Sequence, residues 1–437
     1  MKLYSDEYAI YLPAVNDGYA ATVSKPLSPP DRPFPDGLTM TDLVFWEPNP
    51  LWHYPFLLHS AGLYKVGTLP DNAVTQRNRL NNMLIGDSGG FQIGKGTMKG
   101  LVALKAKPMP AQEAVLAWQS EYKARSWIVT WLDTYADYGM TIDMPLWATS
   151  KDGKGSPFHN CTTAQLIGMT VKNLEFIERH AAGRTKWLNV VQGGENIADI
   201  KLWWNEVKWF KRGGWAMAGS AGVRGGLGNM LNTLLMMRDD HAFQAGQEWL
   251  HVLGVSTTKW AVLLSAIQQA LRKLNPTLRV SYDSSSPFQA AGKYEDVALT
   301  PTFSSDEKTW SIGTEPAPQS RLHADPNSTR PFEHDQSPLG QRLQLRHLSI
   351  QDGIWNRRQF DTVSNVLLMN HNAWVYLDAM KKANDFAAAK DKAHVPARYL
   401  ECLEFIADVF QRDDWPTCLA KEKKLLDAVA PNGYTTA

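Results

Sequence analysis

Short apolar runs alternate with longer helical patterns from about residue 80 to residue 285, and this alternation predicts an α/β protein with a parallel sheet. Two further observations narrow the class to a TIM (β/α)8 barrel. The expected strands, at 83–86, 140–142, 187–191, 215–218, 251–254 and 279–282, each end at or beside a residue able to do chemistry: Asp87, Asp143, Gln192, Gly219, Gly254 and Asp283. The last four of these are spaced by 27, 35 and 29 residues, room for one βα unit each, whereas the first two intervals, 56 and 49, hold an insertion or an extra unit. A barrel collects its active site at the carboxyl ends of successive strands, and a doubly wound sheet gathers its ligand at one switch point. Six such positions favour the closed barrel.

Residues 1–55 are rich in proline and polar turns, such as Ser28-Pro29-Pro30, Pro33-Phe34-Pro35 and Pro48-Asn49-Pro50, and read as an irregular segment wrapping a core. The barrel is expected over 56–300 and 347–390, with helices at 111–124, 163–182, 197–211, 227–237 and 259–274. Loop chemistry at Ser304-Ser305-Asp306, Pro316-Ala317-Pro318 and Asp325-Pro326-Asn327-Ser328 marks 301–346 as an insertion or subdomain. An amphipathic helix follows at 363–383. Helices at 399–410 and 419–429 close the chain within 391–437, and no internal repeat is evident.

The 437 residues allow one large barrel plus appendages, and 44% hydrophobic against 20% charged residues describes a globular core. A net charge of +1 argues against a generally basic nucleic-acid binder and leaves room for a local patch. Cys161, Cys402 and Cys418 form no CxxC pair, which points to a reducing compartment. With no apolar leader and no apolar run of about 18 residues, neither secretion nor a membrane span is expected, and the cytoplasm is the expected location.

The densest motif is Asp87-Ser88-Gly89-Gly90-Phe91-Gln92: a carboxylate at a strand end, two glycines that let backbone approach a ligand, and a bare aromatic. Such a string also makes ordinary turns. Asp87 and Asp283, at separate strand ends, suit substitution at an anomeric carbon, one moving a proton at the leaving group and the other attacking the sugar. Asp143, Gln192 and the backbone around Gly219 and Ser220 together offer donors and acceptors for a purine edge, with Phe91 and Leu253 for its faces. Taken singly, Asp143 before Met144-Pro145, Gln192 before Gly193-Gly194, and Asp283 before Ser284-Ser285-Ser286-Pro287 also suit turns or caps.

Over roughly residues 80–385 the chain resembles the tRNA-guanine transglycosylase family, TIM-barrel enzymes that swap guanine for a 7-deazaguanine base in a polynucleotide. The strings that carry the resemblance run in order. They are Asp87-Ser88-Gly89-Gly90-Phe91-Gln92, the acids Asp137 and Asp143 around a strand, Val190-Val191-Gln192-Gly193-Gly194, Gly214-Trp215-Ala216-Met217-Ala218-Gly219-Ser220-Ala221, Leu253-Gly254-Val255, Ser281-Tyr282-Asp283, and Met369-Asn370-His371-Asn372-Ala373-Trp374-Val375-Tyr376. The resemblance implies that Asp283 is the nucleophile at C1′ and Asp87 the general acid/base. It implies that Asp143, Gln192, Gly219 and Ser220, with Ser88 beside them, hold the base edge while Phe91 and Leu253 stack on it, and that no redox or nucleotide cofactor takes part.

Two departures from the family bear on the substrate. The family's CxCxxC zinc triplet has no counterpart near His371, and the spacing of His323, His334 and His347 fits no usual zinc pattern. No metal is expected; a zinc ion, if held, would use His371 with partners the sequence does not identify, and otherwise His371 reads as a packed helix residue. The arginine-bearing loop after the nucleophile, which reads tRNA, is replaced by Pro287-Phe288-Gln289-Ala290. Retained acids beside lost tRNA-reading features fit the phage and bacterial DNA branch, which places 7-deazaguanine (such as the 7-cyano form) in DNA. Partners would then be DNA, a free 7-deazaguanine base and a protein that opens the duplex, in a host cytoplasm if the gene is a phage's. Lys208, Lys211, Arg212, Arg224, Phe288 and Gln289 are candidate nucleic-acid contacts, and Tyr135 and Tyr138 candidate stacking surfaces; ordinary solvation or packing would equally account for these side chains. The alternatives are a zinc-free enzyme acting on tRNA, a barrel glycoside hydrolase, and a non-catalytic nucleic-acid-binding subunit.

Overall fold

The structure, a computed structural model, describes residues 2–25, 33–194, 197–318, 327–348, 350–352 and 358–433. Eight parallel strands form its centre: β1 (Ile10–Pro13), β2 (Phe56–Ser60), β3 (Met83–Asp87), β4 (Tyr138–Met140), β5 (Lys186–Val191), β6 (Gly214–Met217), β7 (Trp249–Val252) and β8 (Arg279–Ser284). Their order is β1-β8-β7-β6-β5-β4-β3-β2. The two edges meet where Ala14 bridges Leu58 and the Val15 N–H donates to the Leu58 carbonyl at 2.9 Å, so the sheet is a nearly closed α/β barrel of the TIM type. Covered on both faces, its strands read as near-continuous apolar runs; every residue of β1, β2, β6 and β7 is buried.

Helices intervene as expected, with shifted ends. Thr163–His180 starts in a capping box between Thr162 and Gln165, and Thr258–Arg272 starts on the Thr257 side chain. The stretch expected as one helix over 111–124 is two, Ala111–Ser120 and Tyr122–Tyr135. Glu121 breaks the run: its ψ is 48°, and its buried carboxylate accepts the N–H groups of Val102 and Ala103 at 2.7 and 2.6 Å.

The N-terminal segment does more than wrap. Ile10–Pro13, a short apolar run hidden among turn residues, is a barrel strand paired to β8. After β8, Asp296–Leu299 pairs antiparallel with Gly313–Pro316, and Ile350–Asp352 with Arg358–Phe360. The helix Thr362–Ala388 then returns to the barrel and ties these parts down with buried amides. Asn370 donates to Tyr19 Oη at 2.9 Å and accepts from Trp52 Nε1 at 3.0 Å, and Asn372 accepts the Ala298 N–H at 2.8 Å. The last helices lie against the barrel; the Ala430 carbonyl accepts the Leu227 N–H at the start of Gly226–Asp239. Among the described residues no helix is long and apolar enough to cross a membrane.

Candidate active site

Asp87 is the last residue of β3, in register with Ser60 at the end of β2. The Ser60 hydroxyl donates to Asp87 Oδ2 at 2.6 Å. Gly89 explains the glycine pair that follows. Its φ is +86°, and a Cβ there would stand 2.7 Å from Gly62 Cα, while one on Gly90 would approach Asp143 Oδ1 at 3.2 Å. Burial pushes the Asp87 carboxyl above the ordinary carboxylate range. The Ser60 hydroxyl and the Gly89 N–H oppose that rise, Asp283 adds to it, and His251 opposes it slightly. Asp87, Asp283 and His251 therefore lie within electrostatic reach at one end of the barrel. β3 and β8 are separated only by β2 and β1 across the closing seam, three strand steps of about 4.8 Å along the wall.

Asp283 is part of β8, and its side chain keeps 14% of its surface exposed. Its Oδ1 accepts the Gly254 N–H at 3.1 Å and faces His251 Nε2 at 3.1 Å. Among the described residues no hydrogen bond reaches its Oδ2.

Beyond β4, Asp143 is buried and takes a 2.5 Å hydrogen bond from Gln192 Nε2. Burial pushes its carboxyl up to about 6, with Gln192 opposing and Asp87 adding to the rise. Gln192 Oε1 and the fully buried Ser220 Oγ have no hydrogen-bond partner among the described residues. Gly219 adopts a φ of +58°, and a Cβ would stand 2.6 Å from the Gly193 carbonyl oxygen. Phe91 is exposed on the turn of helix after β3, its ring 5.6 Å from that of Trp147 and 4.4 Å from Lys95 Nζ. Leu253, half-buried, follows β7, four strands from β3 and so across an eight-stranded mouth from Phe91. Acid, amide and unpaired hydroxyl thus converge with two apolar side chains at the carboxyl ends of the strands, where barrels do chemistry.

Several expected contacts lie elsewhere. Lys208, Lys211 and Arg212 fall between the helix Ile197–Val207 and β6, at the amino end of the barrel, away from the acids. Lys208 pairs with Asp240 at 3.0 Å and Arg212 pairs with Glu178. Arg224, which follows β6, is at the carboxyl end with the acids and pairs with Asp152. Phe288 is fully buried against Tyr19, ring centroids 5.3 Å apart, and presents no stacking surface; the loop that should have exposed it is the helix Ser286–Tyr294. Gln289 on that helix is exposed and bonds Ser285. The Ser88 hydroxyl is buried and donates to the Thr141 carbonyl at 3.2 Å, tying β3 to the segment after β4 rather than facing a base. Tyr135 and Tyr138 lie at the amino end, Tyr138 packed on Trp249 at 4.7 Å. Asp137, beside them, accepts from Arg77 at 2.6 Å and Arg79 at 2.8 Å.

The surroundings of His371 do not fit a zinc site. Its Nδ1 bonds Ser337 Oγ at 2.8 Å, and burial, with His334 nearby and the Ala298 backbone opposing, holds the imidazole down at about 3. His334 is engaged with Glu315 at 3.1 Å. Among the described residues no three His, Cys, Asp or Glu side chains gather. His323 lies outside the described residues.

Ser60 and His251 are the functional-site residues that sequence reasoning missed. His251 is the lone polar residue of an apolar strand, and Ser60 follows His59 at the polar end of another; that was the available signal. Set against family models and against curated proteins, the chain matches none of either.

Proposed function

We propose that this chain exchanges guanine in DNA for a 7-deazaguanine base by double displacement. The observation that carries the reading is the pairing of two unlike carboxyls at one mouth: Asp87, raised by burial, and Asp283, held at Oδ1 by the Gly254 N–H and His251 Nε2. In the first step Asp283 Oδ2 bonds to C1′ and the glycosidic C1′–N9 bond breaks. Asp87, whose burial favours its protonated form, gives its proton to the departing guanine. In the second step Asp87 removes the N9 proton of the incoming base, N9 attacks C1′, and the electron pair of the C1′–Oδ2 bond returns to Asp283. Two inversions retain the sugar configuration. Asp143, Gln192, Gly219 and Ser220 supply the polar edge that orients the base, and Phe91 and Leu253 its two faces.

DNA is favoured over tRNA by the helix Ser286–Tyr294, which presents no arginine after the nucleophile, and by His371, whose Nδ1 is taken by Ser337. The bond broken lies inside a polynucleotide, so the nucleotide must be single-stranded or extruded.

The test is incorporation of labelled 7-cyano-7-deazaguanine into guanine-containing DNA and into tRNA, with capture of the covalent adduct and mapping of its site. Label in DNA and an adduct on Asp283 support the proposal. Label in tRNA alone would reject the DNA assignment.

A further inference from the structure

On β7 an imidazole stands among Trp249, Leu250 and Val252, and its side chain has no exposed surface. A buried ring of this kind costs free energy unless both nitrogens are satisfied. One hydrogen-bonded chain satisfies both. Trp249 Nε1, which can only donate, donates to Ser281 Oγ at 2.6 Å. The serine proton is then available to the next acceptor, His251 Nδ1, 2.9 Å away. With Nδ1 accepting, the ring proton is on Nε2, and Nε2 faces Asp283 Oδ1 at 3.1 Å.

Resting on the reading of Asp283 as the nucleophile, we propose that His251 is a positioning residue for it, with its tautomer set by Trp249 and Ser281. The Nε2–H and the Gly254 N–H hold Oδ1 from two directions, which fixes the carboxylate rotamer and leaves Oδ2 toward the mouth. In this tautomer both donors are neutral, so they orient the carboxylate without pairing its charge as an arginine would. When Oδ2 is bonded to C1′, Oδ1 becomes the ester carbonyl oxygen. As the C1′–Oδ2 bond breaks in the second displacement, negative charge returns to the carboxylate where both donors already point. Both displacements therefore use the same two hydrogen bonds, and losing the imidazole should slow turnover rather than weaken base binding.

The experiment compares wild-type protein with His251→Leu, His251→Gln and Ser281→Ala, using guanine-containing DNA and labelled 7-cyano-7-deazaguanine, and records 15N spectra of histidine-labelled protein. His251→Leu is expected to lower kcat about 10²- to 10³-fold, the range for loss of one oriented donor, with KM for the free base within about 2-fold. His251→Gln, which keeps an N–H near the place of Nε2, recovers kcat to within about 10-fold of wild type, and Ser281→Ala, which unlocks the tautomer, costs about 10-fold. The wild-type spectrum shows the proton on Nε2 and a bare, hydrogen-bonded Nδ1. Unchanged kcat in His251→Leu, a glutamine variant no better than the leucine one, or a proton on Nδ1 would each overturn the proposal. The spectrum is read on protein alone. A wild type that transfers no base to any polynucleotide rejects the reaction, while the tautomer still decides the hydrogen-bonded chain.

Discussion

Asp137 at the amino end of this barrel and the three site aspartates at its carboxyl end are held in opposite ways. At the amino end Asp137 is met by Arg77 and Arg79, and the Leu84 N–H adds a third donor at 2.9 Å. Lys186–Glu248 at 2.7 Å, Lys208–Asp240 and Arg212–Glu178 continue the pattern: charge there is answered by charge. Among the described residues, Asp87, Asp143 and Asp283 at the carboxyl end bond to a hydroxyl, an amide, backbone N–H groups and an imidazole. Ion pairing at the amino end holds chain segments together. At the carboxyl end burial raises the Asp87 and Asp143 carboxyls, and their hydrogen bonds only partly oppose it.

Removing Asp283 should have the largest effect. Asp283→Ala is expected to lose about 10⁴-fold or more in base exchange and all covalent adduct, measured on folded protein. An adduct surviving in this variant would erase the contrast between the two ends. Asp137→Asn should behave in the reverse way. It leaves the Arg77 guanidinium, 2% exposed, without its carboxylate while its bonds to Asn82 and the Tyr135 carbonyl remain, and is expected to cost about 3 kcal/mol in denaturant unfolding while kcat of the folded protein stays the same.

Asp143 sharpens the comparison through pH. Burial raises its carboxyl from 3.8 to about 6, so ionising it is harder in the folded chain than in the unfolded one. Its contribution to stability is full below about pH 4 and is lost as pH rises through about 6. At about 1.4 kcal/mol per pH unit, Asp143→Asn should gain about 2–3 kcal/mol over wild type at pH 8 and nothing at pH 4, read from urea midpoints at the two pH values. Asp137→Asn should show no such gain. The smallest effect is expected from the basic residues. Lys211→Ala and Arg212→Ala should leave DNA affinity and its salt dependence unchanged, whereas Arg224→Ala, at the carboxyl end with the acids, should reduce the salt slope by about one.

Much of the barrel was legible because a parallel strand covered on both faces must be apolar, and β3 and β5 to β8 announce themselves so. β1 did not, because four residues among prolines and polar turns carry too little periodicity, and only its pairing to β8 makes Ile10–Pro13 a strand. The acids were legible from their places at strand ends. Phe288 could be read either as a stacking surface or as packing, and only the helix that turns it onto Tyr19 decides for packing. The basic cluster at 208–212 could be read either as a nucleic-acid contact or as solvated charge, because charge in a sequence carries no address; the connection from helix to strand puts it at the amino end.

Local composition and period, which report burial on one or both sides of a chain segment, were enough for the sequence to determine an alternating α/β chain with chemistry at its strand ends. Tertiary structure alone decided which polar groups meet. Trp249, Ser281, His251 and Asp283 come from two strands about 30 residues apart, and they become one hydrogen-bonded chain only because β7 and β8 lie in register, Trp249 opposite Arg279 and His251 opposite Ser281. Register is a property of pairing, and no single strand contains it.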